Sequence, residues 1–126
     1  MTTPADQAAP LAITARESSA GPVVEPVGAI DFDSAPLLRT ALHKVLSRLP
    51  APRVAVLDLS GVTFCDSSGL NAILLAQRRA RHAGTQLRLA SPGTVVARML
   101  AMTGVDQVFP IDRHAPLTAG PAAEVA

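Results

Sequence analysis

The chain has no tryptophan and no tyrosine, and its aromatic content of 2% is carried by three phenylalanines. A core built from it must be aliphatic, and little is left for stacking on nucleobases. Cys65 is the single cysteine, which excludes an internal disulfide and any multi-cysteine metal site within one chain and fits a reducing compartment. With 11 basic against 10 acidic residues the net charge is +1, which offers no field to gather nucleic acid or an anionic membrane. No apolar run approaches the ~20 residues of a membrane span, and the N-terminus lacks the basic start and apolar stretch of a secretion signal. These absences place the protein in the cytoplasm, with no direct nucleic-acid partner and no membrane.

What remains is a chain of 126 residues, 48% hydrophobic, enough for one domain with a core. Residues 1–10 and 115–126 are rich in Ala, Pro, Thr and Gly with few large apolar side chains, and read as disordered tails around a folded domain at 11–114. Leu11 to Arg16 and Val23 to Val27 read as short strands around the turn Ser18 to Gly21. Pro22 and Pro26 each remove a ladder donor and suit an edge or an irregular hairpin.

Asp31 to Ser34 supplies capping oxygens ahead of Pro36, which is tolerated in a first helical turn. The helix that follows places Leu38, Leu42, Val45, Leu46 and Leu49 on one stripe and turns Arg39, His43, Lys44 and Arg48 outward, with Pro50 and Pro52 stopping it. Arg53 to Leu59 is apolar without alternation, as in a central strand covered on both faces.

A second helix from about Ser68 turns Leu70, Ile73, Leu74 and Ala80 inward and ends in Arg78, Arg79, Arg81, His82 and Gly84, the late cations complementing its negative end. Gln86 to Ala90 alternates as a strand. Ser91-Pro92 opens a third helix through Val95, Val96, Met99 and Leu100, Gly104 closes it, and Val108 to Ile111 forms a last strand. The order β-β-α-β-α-β-α-β implies an α/β fold with a mostly parallel central sheet flanked by helices.

The chemistry concentrates where the central strand runs through Phe64 and Cys65 into Asp66-Ser67-Ser68-Gly69-Leu70. The first N–H groups of a helix have no partner within it, and the helix dipole adds about half a positive charge there. Asp66 or Ser67 can cap those donors and Gly69 permits close approach of another surface. By spacing alone this is either an ordinary N-cap or an anion-stabilising site. A nucleophile elbow fails, because Cys65-Asp66-Ser67-Ser68-Gly69 lacks the first glycine of Gly-x-Ser-x-Gly and no later histidine stands in triad order. His43, His82 and His114 have no metal-ligand spacing. Neither a metal nor a cofactor is expected, and Cys65 reads as a small buried side chain.

The run from Asp58-Leu59-Ser60-Gly61 to Asp66-Ser67-Ser68-Gly69-Leu70 resembles the phosphorylation segment of bacterial anti-sigma-factor antagonists, which share the STAS domain. Gly28-Ala29-Ile30-Asp31 is similar to that family's Gly-Glu-Leu-Asp element, and Ser91-Pro92 with Met102-Thr103-Gly104-Val105 to its third-helix boundaries. The resemblance covers about Leu11 to Asp112 and implies a non-enzymatic partner switch. The unmodified protein binds an anti-sigma factor, a serine kinase with a histidine-kinase-like ATPase fold, and so frees a sigma factor for transcription. Phosphorylation of Ser67 ends that binding, and a metal-dependent serine phosphatase reverses it, so ATP and metal belong to the partners.

Ser68 is the neighbour with which Ser67 can be confused. Asp31, Asp66, Ser67, Ser68 and Gly69 are the expected partner-binding residues. Asp31 either caps the first helix or meets the partner, and Asp66 either orients Ser67 or caps. Ala29, where the family commonly has Glu, and Pro26 depart from the pattern. The rival reading is a STAS binding or scaffold subunit, of a stress-sensing or lipid-transport complex, that does not switch.

Overall fold

The computed structural model describes residues 10–117. Its elements are β1 (Ala12–Ser18), β2 (Gly21–Ile30), α1 (Ala35–Leu46), β3 (Val54–Asp58), β4 (Val62–Cys65), α2 (Ser67–Ala83), β5 (Gln86–Ala90), α3 (Thr94–Thr103), a 3-10 turn (Val105–Gln107) and β6 (Ile111–Asp112). They form a six-stranded sheet in the order β1-β2-β3-β5-β6, with β4 also paired to β2. The β1/β2 hairpin is antiparallel and every other pairing is parallel. The fold is the α/β arrangement that the alternation of elements predicts.

Five details differ from the sequence reading. The last strand is Ile111–Asp112 rather than Val108 to Ile111, because the chain after α3 first makes the 3-10 turn Val105–Gln107. β2 is not an edge: it continues through Gly28 and pairs on both sides, while β1 forms the edge. Its prolines are tolerated because β2 meets β3 only at Val23 and Val24 and meets β4 from Gly28 onward. Pro26 thus falls between two parallel ladders and Pro22 ahead of the first. Gly28 itself, at φ 118° beside a register shift, adopts a backbone that side-chain-bearing residues rarely enter.

β4 is an additional short strand, making the order β-β-α-β-β-α-β-α-β. Leu49 lies beyond the end of α1 and is 94% exposed rather than on its buried stripe. In α3, Val96 and Leu100 face the core but Val95 is exposed, since the helix begins at Thr94 with Gly93 as its cap.

All three helices cover one face of the sheet. Leu38, Leu42, Ile73, Ala76, Val96 and Leu100 pack with Val24, Ala55, Leu57, Leu87 and Leu89 in one cluster. Alternate strand residues Val23 and Val56 belong to a separate small cluster with Ala90, which no helix joins. Among the described residues β3 is therefore buried on both faces but helix-covered on only one. Ala115, in the C-terminal segment read as a tail, packs on that second cluster; residues 1–9 and 118–126 lie outside the described residues. Each fully buried Leu or Ile stabilises the domain by roughly 1.5–3 kcal/mol, so this aliphatic layer is what holds the helix starts against the strand ends.

Candidate functional site

The site forms where two adjacent parallel strands stop. Ile30 ends β2 and Cys65 ends β4, and the two are register partners. The Asp66 N–H donates to the Ile30 carbonyl at 3.1 Å, locking the junctions side by side. Asp31 and Asp66 are the next residues along strands spaced about 4.8 Å apart. The fold thus brings Asp31, Asp66, Ser67 and Ser68 to one end of the sheet.

The α2 N-terminus resolves the capping question by an accounting of donors. Asp66 is the N-cap, with extended backbone. Its Oδ1 accepts from the Ser68 N–H at 2.8 Å and from the Gly69 N–H at 3.2 Å, and its carbonyl accepts from the Leu70 N–H at 3.0 Å. Among the described residues only the Ser67 N–H is left over. The Ser67 side chain is exposed while Ser68 is half-buried, and among the described residues neither hydroxyl makes a hydrogen bond. Ser67 is therefore a free hydroxyl beside an unused backbone donor at the positive end of a 17-residue helix.

Gly69 admits the close approach of another part of the same domain. It is buried, and a Cβ built on it would stand 2.5 Å from Cys65 Sγ and 2.7 Å from Ile30 Cγ2. The surface that approaches it is the protein's own, and the glycine lets α2 sit directly on the ends of β2 and β4.

Asp31 is engaged in a closed loop with Ser34, the N-cap of α1. Asp31 Oδ1 accepts from the Ser34 N–H at 2.9 Å, Ser34 Oγ accepts from the Asp31 N–H at 2.9 Å, and the Ser34 hydroxyl donates to the Ala29 carbonyl at 2.9 Å. Hydrogen bonds from Ser34, the backbone N–H foremost, hold the Asp31 carboxyl below its ordinary range. Asp31 thus orders the chain into α1 while lying next to the Ser67 junction.

Burial, and secondarily the negative charge of Asp66, pushes the Cys65 thiol up to about 11, the opposite of an activated thiolate. His43, His82 and His114 are exposed, and among the described residues no group of three or more His, Cys, Asp or Glu side chains is arranged to hold a metal. No helix among them is long and apolar enough to cross a membrane.

Sequence reasoning missed two residues. Phe32, next to Asp31, is 76% exposed, and Phe64, two residues before Asp66, is 49% exposed; Phe109 is buried. Two of three aromatics thus flank the junction in solvent, placed for a partner to cover. The available signal was their placement beside the two acidic junction residues.

A family model described as "Mlab, STAS domain" matches residues 13–111. The chain belongs to the STAS domain family. This STAS domain is 33% identical over 103 residues to a STAS-domain containing protein of Pseudomonas aeruginosa, covering 80% of the chain and 99% of that relative. It is 27% identical over 89 residues to the anti-sigma F factor antagonist of Paenibacillus polymyxa, covering 71% of the chain and 75% of the relative. Among solved structures, an anti-sigma factor antagonist from Mycobacterium paratuberculosis superposes with a TM-score of 0.72 at 26% identity, covering 82% of this STAS domain and 86% of that chain.

Proposed function

We propose that this STAS domain is an anti-sigma-factor antagonist that acts by partner switching, with Ser67 as the phosphoacceptor. The observation that carries the reading is the exposed Ser67 hydroxyl, which among the described residues makes no hydrogen bond and lies beside the one unclaimed N–H at the start of α2. The names of the relatives support the general role. In this reading the unmodified domain binds an anti-sigma factor, a serine kinase with a histidine-kinase-like ATPase fold, through Asp31, Asp66, Ser67, Ser68 and the exposed rims of Phe32 and Phe64. A sigma factor is released, and a serine phosphatase resets the switch. The domain is a binding protein rather than an enzyme.

The junction accounts for why one phosphate ends binding without unfolding. A phosphoserine carries about −1.5 to −2 charges. At Ser67 that charge meets the helix dipole and the free Ser67 N–H, so the folded domain accommodates it. Against a partner the same group must be desolvated beside the Asp66 carboxylate and two phenyl rings. Burying it without new cationic partners costs several kcal/mol, equivalent to a loss of orders of magnitude in affinity. Ser68 suits the role less well, being half-buried with its N–H already bound to Asp66.

Incubation with a candidate kinase of this fold and ATP, followed by mass-spectrometric mapping, tests the assignment. Phosphate on Ser67, absent from Ser67→Ala, is expected. Phosphate on Ser68 would move the phosphoacceptor to that residue, and none with a kinase that binds the domain tightly would favour the non-switching scaffold reading.

A further inference from the structure

The strands at the two ends of the sheet differ in how they leave their open sides. β6 is two residues long, whereas β1 is a seven-residue strand with an unbroken register to β2 and neither proline nor lysine. Natural sheets blunt an exposed edge with short strands, proline, lysine or bulges, because its unpaired N–H and C=O groups template another strand. Among the described residues β1 is paired on one side only, and it carries none of these protections.

The prolines of β2 decide which groups of β1 are free. In an antiparallel pair, opposed residues alternate between exchanging both hydrogen bonds and exchanging none. Pro22 stands opposite Glu17 and Pro26 opposite Ile13, and a proline has no N–H to exchange. Ile13, Ala15 and Glu17 therefore turn their N–H and C=O groups away from β2, as a row along the outer side. Beside that row, on the helix side, a trough of about 700 Å3 lies between β1 and α1. Ile13, Ala15, Leu37 and Ala41 line it, and Lys44 and Arg48 stand at its rim. The trough is open, since Leu37 is 55% exposed and Ala15 is exposed as well.

We propose that β1 pairs antiparallel with β1 of a second copy of this chain, about a two-fold axis at Ala15, joining the two sheets into one. The edge is self-complementary in that register. Ala15 meets its own copy and Ile13 meets Glu17, so the outward residues of the two chains fall opposite one another as fully bonded pairs, and Ala12–Ser18 is overlapped from end to end. The charges on the face away from the helices agree. Thr14 falls opposite Arg16 of the second copy, and the Glu25 carboxylate is held over Thr14 at 3.3 Å, so each Arg16 gains a carboxylate across the seam. Glu17 keeps its own Arg48 at 2.8 Å. An axis perpendicular to the sheet leaves the helices of both copies on one side, where the second copy shields Leu37 and the trough. The same axis sends the two Ser67 junctions to opposite ends of the joined sheet, so this inference stands apart from the Ser67 switch and neither obstructs the other.

Sedimentation velocity of the full chain from about 5 to about 500 μM should show a monomer–dimer equilibrium, the range suited to a small interface. Ala15→Pro keeps every bond to β2, as Pro22 and Pro26 do on the facing strand, but removes the central outward donor, and should raise the dissociation constant about tenfold or more. Leu37→Glu leaves the β1 backbone untouched and should raise it about fivefold or more by placing a charge in the trough. Thermal melting like that of wild type checks that each variant folds. Paired residues of this kind stand about 5.5 Å apart at Cα, within disulfide reach, so Ala15→Cys should oxidise to a covalent dimer while Ala101→Cys, exposed on α3, should not. The proposal is overturned if Ala15→Pro and Leu37→Glu both dimerise like wild type, or if the two cysteine variants cross-link equally. A wild type that is monomeric throughout also overturns it, and uptake of an alternating Thr-Val peptide by that monomer would assign the edge to a partner protein's strand instead.

Discussion

Replacing Gly69 with alanine separates an internal role for this glycine from an interfacial one. The added methyl would stand 2.5 Å from Cys65 Sγ, 2.7 Å from Ile30 Cγ2 and 3.2 Å from Ile30 Cβ. Ile30 is 0% exposed and Cys65 8%, so neither neighbour can swing into solvent. Overpacking of this kind costs about 1–3 kcal/mol, and two contacts below 3.0 Å put the site in the upper part of that range. Alanine in place of glycine in a helix returns at most about 1 kcal/mol. The net loss is therefore about 1–2 kcal/mol, a fall in Tm of roughly 5–15 °C for a domain of this size.

Differential scanning calorimetry or urea unfolding measures it, and Cys65→Ala supplies the internal control. Combining the two substitutions removes the Sγ contact, so the double variant should be more stable than the sum of the single effects by about 1 kcal/mol. A Gly69→Ala protein as stable as wild type, or strict additivity with Cys65→Ala, would refute the packing argument.

Three further outcomes follow from the same geometry. Asp66→Ala removes the acceptor of two helix N–H groups and should cost about 1 kcal/mol in urea unfolding, whereas Asp66→Asn should retain most of the stability. Cys65 should resist alkylation in the native state: with its thiol pushed up to about 11, only roughly one molecule in a thousand is thiolate at pH 8, so iodoacetamide labelling should be slow until urea unfolds the domain. Asp112 accepts from Arg88 Nε and Nη2 at 2.7 Å each, and that pairing lowers its carboxyl below the ordinary 3.8. Its folded pKa being depressed, its contribution is complete above pH 3.8 and disappears as pH falls through the lower folded value. Wild type and Asp112→Asn should differ by about 1 kcal/mol or less at pH 7 and converge in acid denaturation below pH 3.8.

Much of the fold is legible in the chain because its punctuation is local. Asp66 before α2, Gly84 and Gly104 after α2 and α3, and the alternation of Gln86 to Ala90 all act over a few residues, and each stands where its chemistry indicates. β4 escaped because four residues of Val-Thr-Phe-Cys are too few for periodicity to separate from a loop. Pro22 and Pro26 suggest an edge or an irregular hairpin, yet β2 pairs on both sides, because Pro26 falls in the gap between its two parallel partners, a tertiary fact.

Leu49 continues the helical spacing in sequence although the backbone leaves the helix at Leu46. At the site, the adjacency of Asp31 and Asp66 follows from parallel pairing of Ile30 with Cys65, which the element order implies only in outline. The exposure of Phe32 and Phe64 is a three-dimensional property, invisible to a residue count.

Control of partner binding by charge at Ser67, with the fold intact, is measured by surface plasmon resonance of wild type, Ser67→Ala and Ser67→Asp on an immobilised ATPase-fold kinase, with thermal melting of each variant in parallel. Ser67→Ala should bind like wild type, and Ser67→Asp should bind about a hundredfold or more weaker with a Tm within roughly 3 °C of wild type. Unimpaired binding by Ser67→Asp, or binding lost together with the fold, would contradict the account.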